Sequence, residues 1–385
     1  MGRGLHRPAG RWDAQGWPQG AAGKGVMRSM TVFESIARLG PHEQVVFAHD
    51  PPRRLRMIIA VHDTTLGPAL GGCRMWPYRT EEEALEDVLR LSRAMTYKNS
   101  IHGLRLGGGK SVIIGDPRTD KTSDLFEAAG EAVERLQGRY ITAEDVGTNA
   151  QDMVMMRNAT AYVAGLPQTS GDPSPFTALG VFRGIQACAQ ALWGSSDLDG
   201  RRVAIQGVGS VGFHLARHLV QAGARVTVTD IRPEKILRAV EQLGVDSVEP
   251  DAIFDVPCDV FSPCALGGAI NDDTIPRIKA PIIAGAANNQ LAEPRHGDIL
   301  QQRGVIYAPD YVINGGGVIN VAEELTPEGY SAERARAKVE RIFDRVLEVI
   351  ELSRRRNIPT YRAADEIAWQ RVQDARAALK AHSRR

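Results

Sequence analysis

The chain has 385 residues, 24% of them charged, and a formal net charge of +1, which leaves no broad electrostatic field to draw in nucleic acid or an anionic membrane. That length exceeds one ordinary core and suits two domains. Cys73, Cys188, Cys258 and Cys264 show no CxxC pairing and no metal-ligand spacing with histidine, and no HExxH occurs, so no metal is expected and the cysteines read as reduced thiols of a cytoplasmic protein. No apolar run is long enough to span a bilayer, and small-molecule chemistry is left as the default.

Residues 1–29 hold glycine, arginine and tryptophan rather than an apolar signal core. They are expected to be a disordered extension, with a weak targeting arm as the other reading. From Gln44 the β-rich runs 44–48 and 55–62 predict strands, followed by a loop at Leu70-Gly71-Gly72-Cys73-Arg74-Met75. Thr80 ahead of Glu81, Glu82 and Glu83 starts a helix in the capping-box manner, and an apolar stripe through Ala84, Leu85, Val88, Leu89, Leu91 and Met95 carries it to Lys98. Lys110 opens a buried strand over 110–114, and a strand over 140–143 ends at Glu144-Asp145-Val146-Gly147. Pro173-Ser174-Pro175 reads as a hinge into a long helix and marks the domain boundary. Beyond it strands and helices alternate to about Val321, as a doubly wound parallel sheet requires. The strands at 259–261, 281–285 and 304–308 each run into a loop, at 262–267, 286–290 and 309–311, where such sheets bind ligands. After Asn320 the chain is mainly helical.

The fold class is therefore α/β in two domains. An N-terminal α/β domain spans 30–172, joined by C-terminal helices from about 335–385 that pack back onto it. A Rossmann-type domain spans 173–334.

Two patterns carry chemistry. Apolar 203–206 runs into Gly207-Val208-Gly209-Ser210-Val211-Gly212, a complete GxGxxG, and then into a helix. Gly207 permits the tight turn, Gly209 lets backbone approach a pyrophosphate, and Gly212 allows helix to pack on strand. A second strand ends at Asp230, 23 residues beyond Gly207, where a carboxylate would bond the adenosine ribose and repel a 2′-phosphate. NAD is the expected cofactor; Arg232 close by keeps NADP open. The other pattern is Met95-Thr96-Tyr97-Lys98 with Gly107-Gly108-Gly109-Lys110, two lysines in apolar, glycine-rich surroundings. A desolvated lysine can titrate near neutrality and serve as a base, while a charged one can clamp a carboxylate. The alternative is that Lys110 closes a turn and Lys98 snorkels from a helix end.

From about Thr31 to Val372 the sequence resembles the leucine, phenylalanine and valine dehydrogenase branch of the glutamate dehydrogenase-like enzymes. The resemblance rests on Gly67-Pro68-Ala69-Leu70-Gly71-Gly72, Met95-Thr96-Tyr97-Lys98, Leu106-Gly107-Gly108-Gly109-Lys110, Ala143-Glu144-Asp145-Val146-Gly147, Gly285-Ala286-Ala287-Asn288-Asn289-Gln290 and Asp310-Tyr311-Val312-Ile313-Asn314. It implies reversible NAD-dependent oxidative deamination of an L-amino acid to a 2-oxo acid and ammonia by a homo-oligomer, with the N-terminal α/β domain as the substrate-binding and oligomerisation domain. By the same resemblance Lys98 and the Gly71-Gly72 backbone would bind the substrate carboxylate, with Met95 beside them. Lys110 would be base to the water attacking the imine, and Asp145 would handle protons at the amino nitrogen. Thr177 would contact the nicotinamide carboxamide, the 207–212 loop and Asp230 would hold the rest of the cofactor, and Asn289 and Asn320 would bond cofactor or substrate.

The side-chain pocket implied by the resemblance comprises Leu70, Ala143, Val318 and Val321, with no charge to pair a second carboxylate, so glutamate is disfavoured. Leucine, with valine and isoleucine, is the expected substrate. Three positions depart from the family pattern: Cys73 and Gly315, where threonine and alanine are commoner, and Ala164 in place of a threonine. Ala164 leaves an aromatic substrate as the alternative. A non-catalytic dinucleotide-binding protein is the reading from another class, and it has no need of Lys98, Lys110 and Asp145 together.

Overall fold

Two β-sheets, one mixed and one wholly parallel, organise the chain in the computed structural model, which describes residues 31–382. The expected disorder of 1–29 lies outside the described residues. The first half runs α1 (Val32–Leu39), β1 (Gln44–Asp50), β2 (Leu55–Asp63), β3 (Ala69–Trp76), α2 (Glu81–Ile101), β4 (Gly107–Ile114), α3 (Ser123–Glu134), β5 (Tyr140–Glu144) and α4 (Ala150–Arg157). The strands lie in the order β1-β2-β4-β3-β5, antiparallel across β1, β2 and β4 and parallel from β4 through β3 to β5. Helices cover both faces, so β2 buries both sets of its alternating side chains. Ile58 and Ala60 join Leu85, Val88 and Leu89 of α2, while Met57, Ile59 and Val61 join Leu125, Phe126 and Val133 of α3.

The predicted loop at 70–75 is instead the interior of β3. Its glycines do not turn the chain; they let three strands close up. A Cβ on Gly71 would stand 1.8 Å from the Gly109 carbonyl oxygen, and one on Gly72 would stand 2.4 Å from that of Glu144. The 107–109 glycines likewise belong to β4 and do not merely precede it.

The second half begins at the predicted helix after Pro173. It contains α5 (Ser174–Trp193), β6 (Arg202–Gln206), α6 (Ser210–Gln221), β7 (Arg225–Thr229), α7 (Pro233–Leu243), β8 (Asp246–Ser247), β9 (Val260–Pro263), β10 (Ile282–Ile283), α8 (Pro294–Gln302), β11 (Ile306–Tyr307), α9 (Asp310–Ile313) and α10 (Gly316–Ala322). The sheet order is β11-β10-β9-β6-β7-β8, every pair parallel. β10 and β11 are shorter than predicted, yet the ladder runs past them, since Ala284 N–H donates to Phe261 O and Ala308 N–H to Ile283 O.

Three helices finish the chain: α11 (Ala332–Glu340), α12 (Ile342–Arg356) and α13 (Thr360–His382). α12 shares the core of the parallel sheet through Val346, Val349 and Ile350, against Val181 and Ile185 of α5. α13 returns to the first half. Trp369 stacks on Tyr97 at 6.0 Å, Ser100 Oγ donates to Ala368 O at 2.6 Å, Arg371 bonds the carbonyls of Ser100 and Ile101, and Arg376 pairs with Asp63.

Candidate active site

The alternation of β-strand side chains puts Gly72, Arg74 and Lys110 on one face of the first sheet, because Arg74 lies opposite Val112 in the β3–β4 register. Asp145 follows the end of β5 and leans over that face. Its turn is fixed by Thr148, whose Oγ1 accepts from Asp145 N–H at 2.9 Å and donates to Cys73 O at 2.8 Å. The carboxylate is held from two sides, by Lys110 Nζ 3.1 Å from Oδ1 and Arg74 Nε 2.8 Å from Oδ2. Arg74 also reaches Asp87 at 2.8 Å, and Tyr78 donates to that same Asp87 oxygen at 2.7 Å.

Burial sets the proton affinities here. Lys110 is only 5% exposed, and desolvation holds its ammonium below the ordinary lysine range despite the attraction of Asp145. Desolvation pushes the Asp145 carboxyl up, but Lys110 and Arg74 more than offset it and leave the group below its ordinary value. The cluster therefore pairs a carboxylate whose charged form is favoured with an amine whose charged form burial disfavours. Cys73, one residue from Gly72, is fully buried with its thiol pushed up to about 12 by desolvation, so it is inert.

Lys98, near the end of α2, faces the second half. Its Nζ donates to Asn314 Oδ1 at 2.6 Å, and burial pushes it down to about 8. Asn314 ties two ligand-side loops together, donating to Ala286 O at 3.0 Å and Asn288 Oδ1 at 2.7 Å. Asn289, at φ +52°, gives its backbone N–H to Asp310, and its side chain is exposed. Met95 lies over Gly71, its Cγ 3.2 Å from where a Cβ would stand.

An aliphatic cluster gathers three of the residues expected to line the side-chain pocket, Leu70, Val318 and Val321. Leu70 and Ala164 are fully buried, and Val318 and Val321 of α10 pack against them. Ala143 Cβ and Val321 Cγ2 each lie 3.9 Å from the point a Cβ on Gly165 would occupy, so walls from both halves meet there. Thr177 is close by, with its Oγ1 2.8 Å from where a Cβ on Gly317 would stand. Asn320 has no exposed surface, and its side chain donates to Ser170 O at 3.0 Å and accepts from the Tyr330 hydroxyl at 2.8 Å, which leaves one N–H and one lone pair of the amide free for a further partner.

The glycine loop fits a dinucleotide. Gly207 has φ +96°, and a Cβ on Gly212 would stand 2.0 Å from Gly207 O, so those two glycines close the turn. Around Gly209 the nearest atom to such a Cβ is Lys235 Nζ at 3.6 Å, which leaves the loop open above the N-terminus of α6. Asp230 accepts from Val208 N–H and Arg232 N–H, each at 3.0 Å, and retains lone pairs for a ribose hydroxyl. Ile231 beside it is 82% exposed.

The model of the Glu/Leu/Phe/Val dehydrogenase dimerisation domain matches residues 42–162, and that of the Glutamate/Leucine/Phenylalanine/Valine dehydrogenase domain matches residues 170–379. The chain belongs to this dehydrogenase family. It is 57% identical over 340 residues to a leucine dehydrogenase of Geobacillus stearothermophilus, covering 88% of this chain and 92% of that one. It is 50% identical to a phenylalanine dehydrogenase of Thermoactinomyces intermedius, over 89% of this chain and 94% of that one. The solved L-tryptophan dehydrogenase of Nostoc punctiforme superposes with a TM-score of 0.80 at 44% identity, covering 90% of this chain and 99% of that one. The family membership makes the chain an amino acid dehydrogenase using a nicotinamide dinucleotide. Among its described residues no helix is long and apolar enough to cross a membrane.

Sequence reasoning passed over Arg74, although period-two alternation from Gly72 puts it on the face that looks at Asp145. It gave no role to Asn314, and nothing local in the sequence marks that residue as the partner of Lys98.

Proposed function

We propose that the chain catalyses reversible NAD-dependent oxidative deamination of leucine, with valine and isoleucine as further substrates, to the 2-oxo acid and ammonia. The observation that carries this is the aliphatic cluster of Leu70, Val318 and Val321, with Ala143 and Val321 converging at Gly165, in a fold that also builds the Lys110–Asp145–Arg74 cluster. The dinucleotide, when bound, supplies the hydride acceptor. Charged Lys98 and the Gly71-Gly72 backbone anchor the substrate carboxylate and aim the α-carbon. Lys110, its ammonium destabilised by burial, takes a proton from the water that attacks the imine carbon. Asp145 holds protons at the amino nitrogen, and Arg74 fixes its second oxygen so that the first faces Lys110. Closure of the two halves excludes water around Lys110. Thr177 would bond the nicotinamide carboxamide, a role in keeping with its place beside Gly317, and Asn289 would bond the cofactor or substrate from the second half. Asp230 and the open backbone at Gly209 favour NAD.

A homo-oligomer is in keeping with β1, an edge strand carrying Phe47 at 55% exposure, in a half whose family model is described as a dimerisation domain. The unpaired state of all four cysteines is in keeping with a cytoplasmic setting.

Absorbance of reduced nicotinamide, followed with leucine, valine, isoleucine, phenylalanine, tryptophan and glutamate, tests the proposal. The branched aliphatics should show the highest kcat/KM and glutamate the lowest. An aromatic winner would keep the chemistry and discard the pocket reading, and silence across the panel would discard both.

A further inference from the structure

The loop from Gly165 to Ser170 leads from the pocket to the hinge, and it is sewn to the end of α10 by a single carboxylate. Glu324 Oε2 accepts from Gly165 N–H at 3.1 Å, while Oε1 accepts from Thr169 Oγ1 at 2.6 Å and Ser170 N–H at 3.0 Å. One helical turn earlier, Asn320 donates to Ser170 O at 3.0 Å, so residues four apart on one face grip the same loop. The neighbouring Glu323 takes Arg334 and Lys338. Glu324 makes no ion pair among the described residues, and its half-buried charge rests on the three loop donors.

We propose that Glu324 is a specificity-determining positioning residue: by tying the 165–170 loop to α10, it fixes the gap between Gly165 and Val321 and hence the size of amino acid side chain that the pocket admits. Gly165 is the point where Ala143 and Val321 converge, and Ala164 before it is a fully buried part of the same wall. Val318 and Val321 ride on the helix that leads directly into Glu324. Loop and helix thus move as one wall, joined by three bonds to the carboxylate and one to Asn320. This rests on the pocket reading above, although not on which side chain the pocket prefers.

The test compares wild type, E324Q and T169V. Gln keeps the shape of the side chain but turns an NH2 toward loop donors, and T169V removes one donor from an exposed loop position. For each protein, kcat and KM are measured for leucine, alanine and phenylalanine, together with the pH profile and amide hydrogen exchange of residues 165–170. In E324Q the KM for the preferred amino acid should rise about tenfold, and its kcat/KM advantage over the other two should shrink at least fivefold. That shrinkage fits within the 10–200-fold that pocket packing supplies. The pH profile should stay in place, because Lys98, Lys110 and Asp145 are untouched, and the Gly165 and Ser170 amides should exchange faster. T169V should move the same way by a smaller factor. An equal loss for all three amino acids, or an unchanged ratio in both variants, would overturn the inference; if E324Q fails to fold, T169V alone decides it. Wild-type preference for phenylalanine would sink the branched-chain reading while the variants still decide the role of Glu324. A wild type inert toward every amino acid would overturn both.

Discussion

Glycines crowd both sheets, yet they serve opposite ends. In the mixed sheet a Cβ on Gly71 or Gly109 would lie 1.8 Å from the Gly109 carbonyl oxygen or 2.6 Å from the Tyr140 ring, so those glycines let protein approach protein. That closeness sets Lys110 beside Asp145 before any ligand arrives. In the turn that leaves the parallel sheet, Gly209 has space above it, with Lys235 Nζ, 3.6 Å from where a Cβ would stand, as the nearest atom. The same residue type thus marks a preformed ion-pair cluster in one half and an open turn at a helix N-terminus in the other. Only the surrounding register distinguishes them.

That contrast can be attacked from its most sensitive point outward. Lys110→Ala should cut turnover by about 10³-fold or more, within reach of what a positioned base contributes, while dinucleotide binding, followed by fluorescence titration, stays intact. Turnover within tenfold of wild type would remove Lys110 from the chemistry. Among the glycines, Gly71→Ala should destabilise the fold by about 3 kcal/mol or more, since backbone blocks the new methyl. Gly209→Ala should leave the unfolding midpoint in place and weaken dinucleotide binding by about 10–100-fold, the loss expected when a phosphate is held off the helix terminus. If both variants behaved alike in denaturant, the two kinds of glycine would not differ as described.

A subtler effect lies in pH. Burial puts Lys98 at about 8 against an ordinary 10.5, so its charge, and with it the grip on a carboxylate, fades as pH rises through 8. The kcat/KM for leucine should therefore fall by up to about tenfold per unit above that point. Stability should move the other way, because between about 8 and 10.5 the unfolded chain holds a proton that the folded chain has shed, and folding is favoured as pH rises. Lys98→Met should abolish the descending limb of the rate profile; a limb that persisted would belong to another group.

The architecture and most of the cluster were legible because they rest on local signals: alternation in β2, a cap and stripe in α2, the ordered strand, glycines and acid around Gly207. The resemblance added roles for Lys98, Lys110 and Asp145, and the structure brings the last two within 3.1 Å of each other. What escaped was long-range. Arg74 becomes Asp145's second partner only once β3 is known to be a strand and not a loop, and a Gly-Gly pair argues for a loop until the neighbouring strands are in view. The contacts of Asn320 are long-range as well. Asparagine near a ligand loop suggests a ligand contact, but a fully buried amide must first satisfy its own polar atoms, and Ser170 and Tyr330 meet part of that need.

The return of α13 to α2 has a mechanical consequence. The chain joins its halves at the hinge before α5 and again through Trp369, Arg371 and Arg376. Covalent and packed crossings at separate places define an axis, so a swing of one half against the other would turn about the line between them and not freely in all directions. Clipping the last helix would therefore cost the molecule its direction of travel, and Lys98 and Asn314 would no longer be steered back to the same meeting point.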